Sequence, residues 1–131
     1  DEPELKDKVA RTARSQSLAM NKFAVQAPVI IAIVMEPANV TSTLGSKIKR
    51  KHYPLMDIGI AAEHICLQAT EEGLGTCMLG WLNEKRARKL LGVPSHKRIP
   101  LLITLGYPLD QNKSPRGRKD FNAIVRYNQY R

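Results

Sequence analysis

The stretch Ala27-Pro28-Val29-Ile30-Ile31-Ala32-Ile33-Val34-Met35 constrains this chain more than any other. It is apolar without alternation and rich in β-branched residues. A strand with one wet face alternates apolar and polar; a strand covered on both faces does not. Such a strand needs neighbours beside it and helices above and below. Ile99 to Leu105 is a second run of the same character, closed by Gly106-Tyr107-Pro108, and Thr76 to Trp81 is a shorter third. Sheets commonly hold roughly four to six strands. Three is a shortage, which another chain, an upstream strand, or both would make good.

The segments between them read as helices and loops. Pro3 to about Met20 is predicted helical, with Pro in the first turn and Leu5, Val9, Ala13 and Ala19 inward. Glu36 to Tyr53 is polar and basic and reads as a loop. Pro54 opens the strongest helix, running to about Glu72 with Gly73 at its C-terminal cap position. Its apolar residues Ile58, Ile60, Ala61, Ala62, Ile65, Cys66, Leu67 and Ala69 run nearly all the way round. That pattern predicts burial on most sides, in a core or against a second subunit. Asn83 is placed to cap a basic helix ending near Leu91, before Gly92 and Pro94. After Asp110 the chain is a polar, basic tail with a short helix predicted around Phe121 to Arg126.

A chain of 131 residues supports a single domain, 1–131. Two cysteines, Cys66 and Cys77, are too few for a disulfide scaffold or a zinc site, so a reducing, cytoplasmic setting is expected. No membrane-spanning run and no secretory leader is expected, which makes the glycosylation pattern Asn39-Val40-Thr41 a chance match. The net charge of +9 is clustered at Lys47–Lys51, Lys85–Lys89 and Arg116–Lys119. That fits a polyanion, an anionic cofactor or a solvated surface. Aromatics, 5% of the chain, do not interleave with the basic runs, which disfavours a single-strand stacking platform.

Gly73-Leu74-Gly75-Thr76-Cys77-Met78-Leu79-Gly80 is the leading site candidate. A dinucleotide fingerprint follows a strand and opens a helix, so that pyrophosphate meets the helix N-terminus. Here the glycines follow a helix and enter a strand, which excludes that reading. Two remain: a helix cap with a tight connection, or a backbone that a flat ligand can approach because glycine lacks a Cβ. Ser114-Pro115-Arg116-Gly117-Arg118-Lys119 is the second candidate, since guanidinium forks suit phosphate. Taken alone, that run fits nucleic acid equally well. His52, His64 and His96 share no metal-ligand spacing, and no metal site is expected. Cys77 has no evident base and reads as a small buried thiol. Gly45-Ser46-Lys47 is only the end of a P-loop pattern, and Glu63, Glu71 and Glu72 read as exposed helix positions.

Five motifs in order resemble the nitroreductase family of FMN-dependent oxidoreductases. Ala27-Pro28-Val29-Ile30-Ile31 is similar to the family's APVVI strand. Asp57-Ile58-Gly59-Ile60-Ala61-Ala62-Glu63-His64-Ile65 resembles its long central helix. Gly73–Gly80 is similar to the GLGTCWIG segment. Leu90-Leu91-Gly92-Val93-Pro94 with Leu105-Gly106-Tyr107-Pro108 resembles the LLGIP and LGYP pair, and Arg116–Lys119 falls where the family carries a basic phosphate motif. The family's N-terminal flavin-binding segment has no counterpart before Asp1-Glu2-Pro3-Glu4-Leu5-Lys6.

The resemblance implies an α+β fold: a nitroreductase-like three-layer α/β/α sandwich with a central mixed sheet flanked by helices, completed by a missing N-terminal strand and by dimerisation. It implies a homodimer with FMN at the subunit interface. Met78, Leu79 and Gly80 would line the flavin ring, and Arg116, Arg118 and Lys119 would hold the phosphate. Electrons would pass from NAD(P)H through FMN to a nitroaromatic, quinone or related small-molecule acceptor in a ping-pong cycle. The flavin carries that chemistry, so no catalytic side chain is named. Membrane association is not implied, and nucleic acid is disfavoured as a partner. The rival reading is a truncated relative acting as a non-catalytic interaction or nucleotide- or nucleic-acid-binding module.

Overall fold

The structure, a computed structural model, describes residues 2–14, 20–36, 52–109 and 117–130. Ala19, Arg116, the glycosylation-like and P-loop-like patterns and most of the expected 36–53 loop lie outside these residues.

Among the described residues three strands form one sheet: β1 (Val29–Met35), β2 (Gly75–Leu79) and β3 (Arg98–Gly106), in the order β1-β3-β2. Both pairings are antiparallel, with Ala32 and Leu79 flanking Leu102 in register. The mixed pairing expected of the central sheet is not among these strands. The central strand is β3, and it alone buries fully: Ile99, Leu102 and Ile103 have no exposed surface. β1 has the same apolar composition but lies at an edge, and Val29 and Val34 remain 44% and 38% exposed. The sequence expectation of a strand covered on both faces is therefore met by β3, whereas β1 carries that composition without the cover.

Among the described residues four α-helices accompany the sheet: α1 (Pro3–Ala10), α2 (Tyr53–Glu71), α3 (Glu84–Leu90) and α4 (Phe121–Ile124). The first is shorter than predicted. It tightens into a 3-10 turn at Arg11–Ala13, and a second 3-10 segment follows at Lys22–Gln26, which no periodicity announced. Gly73 ends α2 and Gly92 follows α3, with φ of 72° and 65°. That left-handed conformation is one glycine adopts without penalty. At α3 the Asn83 side chain accepts from the Arg86 N–H at 3.0 Å, so the predicted cap is present. The Asn83 N–H donates to the Thr12 carbonyl at 2.8 Å, tying the start of α3 to the first 3-10 turn.

The core on one sheet face gathers Val9, Ala10, Ala13, Ala24, Leu79, Ala87, Ile99 and Leu102, with Cys77 packed against it. Half of these are alanines, which let α1 and α3 sit close to the sheet. No α2 residue belongs to this cluster. Ala62 and Ala69 of α2 are buried separately. Side chains alternate across a strand, so Ile103 faces away from Leu102, toward α2. Helices thus cover both faces of the sheet. This arrangement also puts Cys66, on α2, and Cys77 on opposite faces; both thiols are free and half-buried.

Candidate functional site

The glycine-rich segment does three separate jobs. Gly73 closes α2. Gly75 opens β2 opposite Gly106. Gly80 stands just past the end of β2, exposed, where an added Cβ would meet nothing within 4 Å. Between them, Leu79 is 3% exposed and anchors β2 to the core, while Met78 is 41% exposed and lies across from Ile103 on the α2 side. Trp81, the chain's single tryptophan, follows at 58% exposure. β2 is an edge strand, so Met78 to Gly80 present backbone at a border of the sheet rather than in its interior. A rigid, glycine-ended ledge of this kind lets a planar group come to backbone distance, and the open space at Gly80 fits such a group.

The basic segment Arg116–Lys119 is described from Gly117 onward. Arg118 and Lys119 are exposed and make no ion pair or side-chain hydrogen bond among the described residues. The chain leaves β3 at Gly106, which pairs with Gly75, at the opposite end of β2 from Gly80. At about 3.4 Å per residue those ends are roughly 17 Å apart. Met78–Gly80 form one contiguous ledge, and Arg118 and Lys119 lie on the exposed segment before α4, where no ion pair to a described residue keeps them from receiving an anion.

The third component is a helix face that the sequence did not separate from the rest. At about 100° per residue, Met56, Ile60 and Leu67 fall within roughly 40° of one another, some 150° from Ala62 and Ala69. The two alanines are buried, whereas Met56, Ile60 and Leu67 are 52%, 59% and 59% exposed. Of the burial expected on most sides of α2, in a core or against a second subunit, the single chain supplies one side only. The i, i+4, i+11 spacing was available in the sequence, but apolar residues on both sides of the helix obscured it.

The electrostatic fixtures lie around α3. Arg98 grips Glu84 with two hydrogen bonds, at 2.6 and 3.1 Å, joining the first turn of α3 to the start of β3. Those bonds, then the attraction of the guanidinium charge, hold the Glu84 carboxyl below its usual range. Arg88 reaches the Ser95 and Lys97 carbonyls and fixes the connection to β3. No group of three His, Cys, Asp or Glu side chains able to hold a metal gathers among the described residues, and no described helix is long and apolar enough to cross a membrane.

Comparison with known proteins sets this geometry in context. A sequence model described as the nitroreductase family matches residues 2–107. A nitroreductase family protein from Clostridium novyi NT is 29% identical, with a TM-score of 0.65, over 86% of this chain and 61% of that one. An FMN-dependent nitroreductase from Clostridium difficile R20291 shares the fold at a TM-score of 0.73 and 24% identity, over 99% of this chain and 72% of that one. So does an NADPH:FMN oxidoreductase from Vibrio harveyi complexed with NAD+, at 0.71 and 22%, over 99% and 56%. A short stretch of 39 residues is 44% identical to an NADH dehydrogenase of Thermus thermophilus, covering 30% of this chain and 19% of that protein. The chain therefore spans about three-fifths of the length of the first of these structures and a fifth of the dehydrogenase.

Proposed function

The chain belongs to the nitroreductase family, and from that premise we propose that it forms part of an FMN-dependent NAD(P)H oxidoreductase. Residues 1–131 act as one unit of the fold. The exposed, glycine-ended ledge at Met78–Gly80 is the observation that carries the reading, because it offers open backbone at a rigid sheet border.

In this reading Met78, Leu79 and Gly80 form one wall for the flavin ring. Leu79 holds the wall by its buried side chain, and Gly80 keeps it low. Arg116, Arg118 and Lys119 supply positive charge for the phosphate. The chemistry FMN supplies when bound is acceptance of hydride from NAD(P)H and delivery of electrons, in a ping-pong cycle, to a nitroaromatic, quinone or related acceptor. The protein's part is to bind, orient and exclude water.

The stripe Met56-Ile60-Leu67 is proposed as the seat of a second copy, which would complete the site as a homodimer. Large apolar side chains gathered on a helix face that the chain itself leaves open support this. The free, separated thiols suit a reducing compartment, taken here as the cytoplasm.

The test begins with the colour of the purified full-length protein. Bound flavin that is released as FMN, and bleached anaerobically by NAD(P)H, is the expected result. A colourless protein that added FMN does not restore would overturn the proposal. Gly80→Val then probes the ledge: thermal stability should hold, because the added side chain meets open space, while FMN affinity falls at least about tenfold, roughly 1.4 kcal/mol. Arg116→Ala with Arg118→Ala should likewise weaken FMN retention far more than folding.

A further inference from the structure

The face of the molecule opposite α2 has a different character. Ala87, fully buried, turns α3 toward the sheet. At about 100° per residue, Lys85, Arg86 and Lys89 fall within roughly a 100° arc centred opposite Ala87, and all three are exposed. The Asn83–Thr12 backbone hydrogen bond brings this helix against the 3-10 turn Arg11–Ala13. There Thr12 and Ala13 are buried, while Arg11 and Arg14 on either side of them are exposed.

None of these five cations makes an ion pair among the described residues. The acidic groups near them are already engaged or peripheral. Glu84 is held by Arg98, Glu4 by Lys8, and Asp7 pairs with Lys6 while also feeling Arg11. The other two cations of the region, Arg88 and Arg98, are bound internally. The result is a positive surface whose five cations have no ion pair among the described residues, on secondary structure fixed by packing and a backbone hydrogen bond.

The surroundings narrow the partner. Residues 2–14 and 82–93 hold no exposed large apolar side chain and no aromatic residue; Met20, Phe23 and Trp81, all exposed, come next along the chain. Specific protein interfaces have an apolar centre, interfacial membrane binding needs apolar side chains to insert, and base stacking needs aromatic rings; no such side chain stands among the five cations themselves. Arginine forks and lysine point charges match phosphate oxygens repeated along a backbone.

We propose that the surface formed by Arg11, Arg14, Lys85, Arg86 and Lys89 binds the phosphate backbone of double-stranded nucleic acid without reading its sequence. The surface lies across the sheet from the α2 stripe, and none of its five cations belongs to Met78–Gly80 or to Arg116–Lys119.

Fluorescence anisotropy of a labelled 20-base-pair duplex against the full-length protein tests this. If five phosphates are neutralised, log affinity falls against log salt with a slope of about −4.5, about 500-fold between 50 and 200 mM. The Lys85→Gln, Arg86→Gln, Lys89→Gln variant should reduce the slope to about −1.8, about 12-fold over the same range. Its FMN content and melting temperature should match those of the parent. Two duplexes of unrelated sequence should bind alike. No binding at 50 mM salt overturns the proposal, as does an unchanged slope in the variant. Binding to vesicles of mixed anionic and neutral lipid, lost in the variant while the duplex fails to bind, also overturns it, in favour of a lipid surface.

Discussion

Gly106→Ala should destabilise the protein by driving a new methyl group into the Pro28 ring. Gly106 ends β3 and pairs with Gly75 on one side, while Pro28 approaches from the β1 side. A Cβ built on Gly106 would lie 2.5 Å from Pro28 Cδ and 2.8 Å from Cγ, well inside carbon–carbon contact. A flexible side chain could swing away. The proline ring cannot, because it is closed onto its own backbone, so relief requires moving the start of β1 against the end of β3. Overpacking of this kind costs about 1–3 kcal/mol. For a chain of this length, unfolding entropy is about 0.28 kcal/mol per kelvin, so the melting temperature should drop by about 4–11 °C. Differential scanning calorimetry reads this directly. Pro28→Ala in the same background should recover most of the loss, because it removes the atoms that clash; a double-mutant cycle isolates the coupling. A Gly106→Ala protein that melts within about 1 °C of the parent, or no recovery with Pro28→Ala, would refute the reasoning.

Ile60→Glu with Leu67→Glu should leave the chain folded, since both side chains are 59% exposed, but should shift sedimentation from dimer to monomer; an unchanged dimer would remove α2 from the interface. The Glu84–Arg98 pair should leave a mark on acid stability. Arg98 lowers the folded-state pKa of Glu84 from 4.5, so the stabilisation is present above that value and is lost as pH falls through the lower, folded value. Both partners retain contact with solvent, which limits the effect to under about 1 kcal/mol. Glu84→Gln should flatten that part of the urea-denaturation profile between about pH 5 and 3, and an identical profile would show that the pair contributes nothing.

The parts of the fold legible in the sequence were those whose signal is local. Asn83 announced its cap, Gly73 and Gly92 their helix ends, and the β-branched runs their strands, because caps, left-handed turns and χ1-restricted side chains act within a few residues. What could not be read depended on which neighbours are present. Val29–Met35 and Ile99–Leu105 look alike as strings, yet one is an edge and the other the centre of the sheet. Likewise the side of α2 that meets the sheet and the side that does not are both apolar, and only the contacts tell them apart. The 3-10 segment Lys22–Gln26 follows no period at all; it turns the chain between α1 and β1. At the ledge, the order helix, glycine, strand could exclude a dinucleotide site. It could not show that Leu79 is an anchor and Met78 exposed, since that follows from register against Leu102 and Ile103.

Charge is divided between the two sides of the sheet more sharply than composition alone conveys. Tyr53 to Glu72 contains Asp57, Glu63, Glu71 and Glu72 and no lysine or arginine, in a chain of net charge +9. The face across the sheet carries Arg11, Arg14, Lys85, Arg86 and Lys89 on the first 3-10 turn and α3, none of them ion-paired among the described residues. In the proposed homodimer the α2 stripes would meet on a helix with no lysine or arginine between Tyr53 and Glu72, and these five cations, on the other side of the sheet, would face away from that contact.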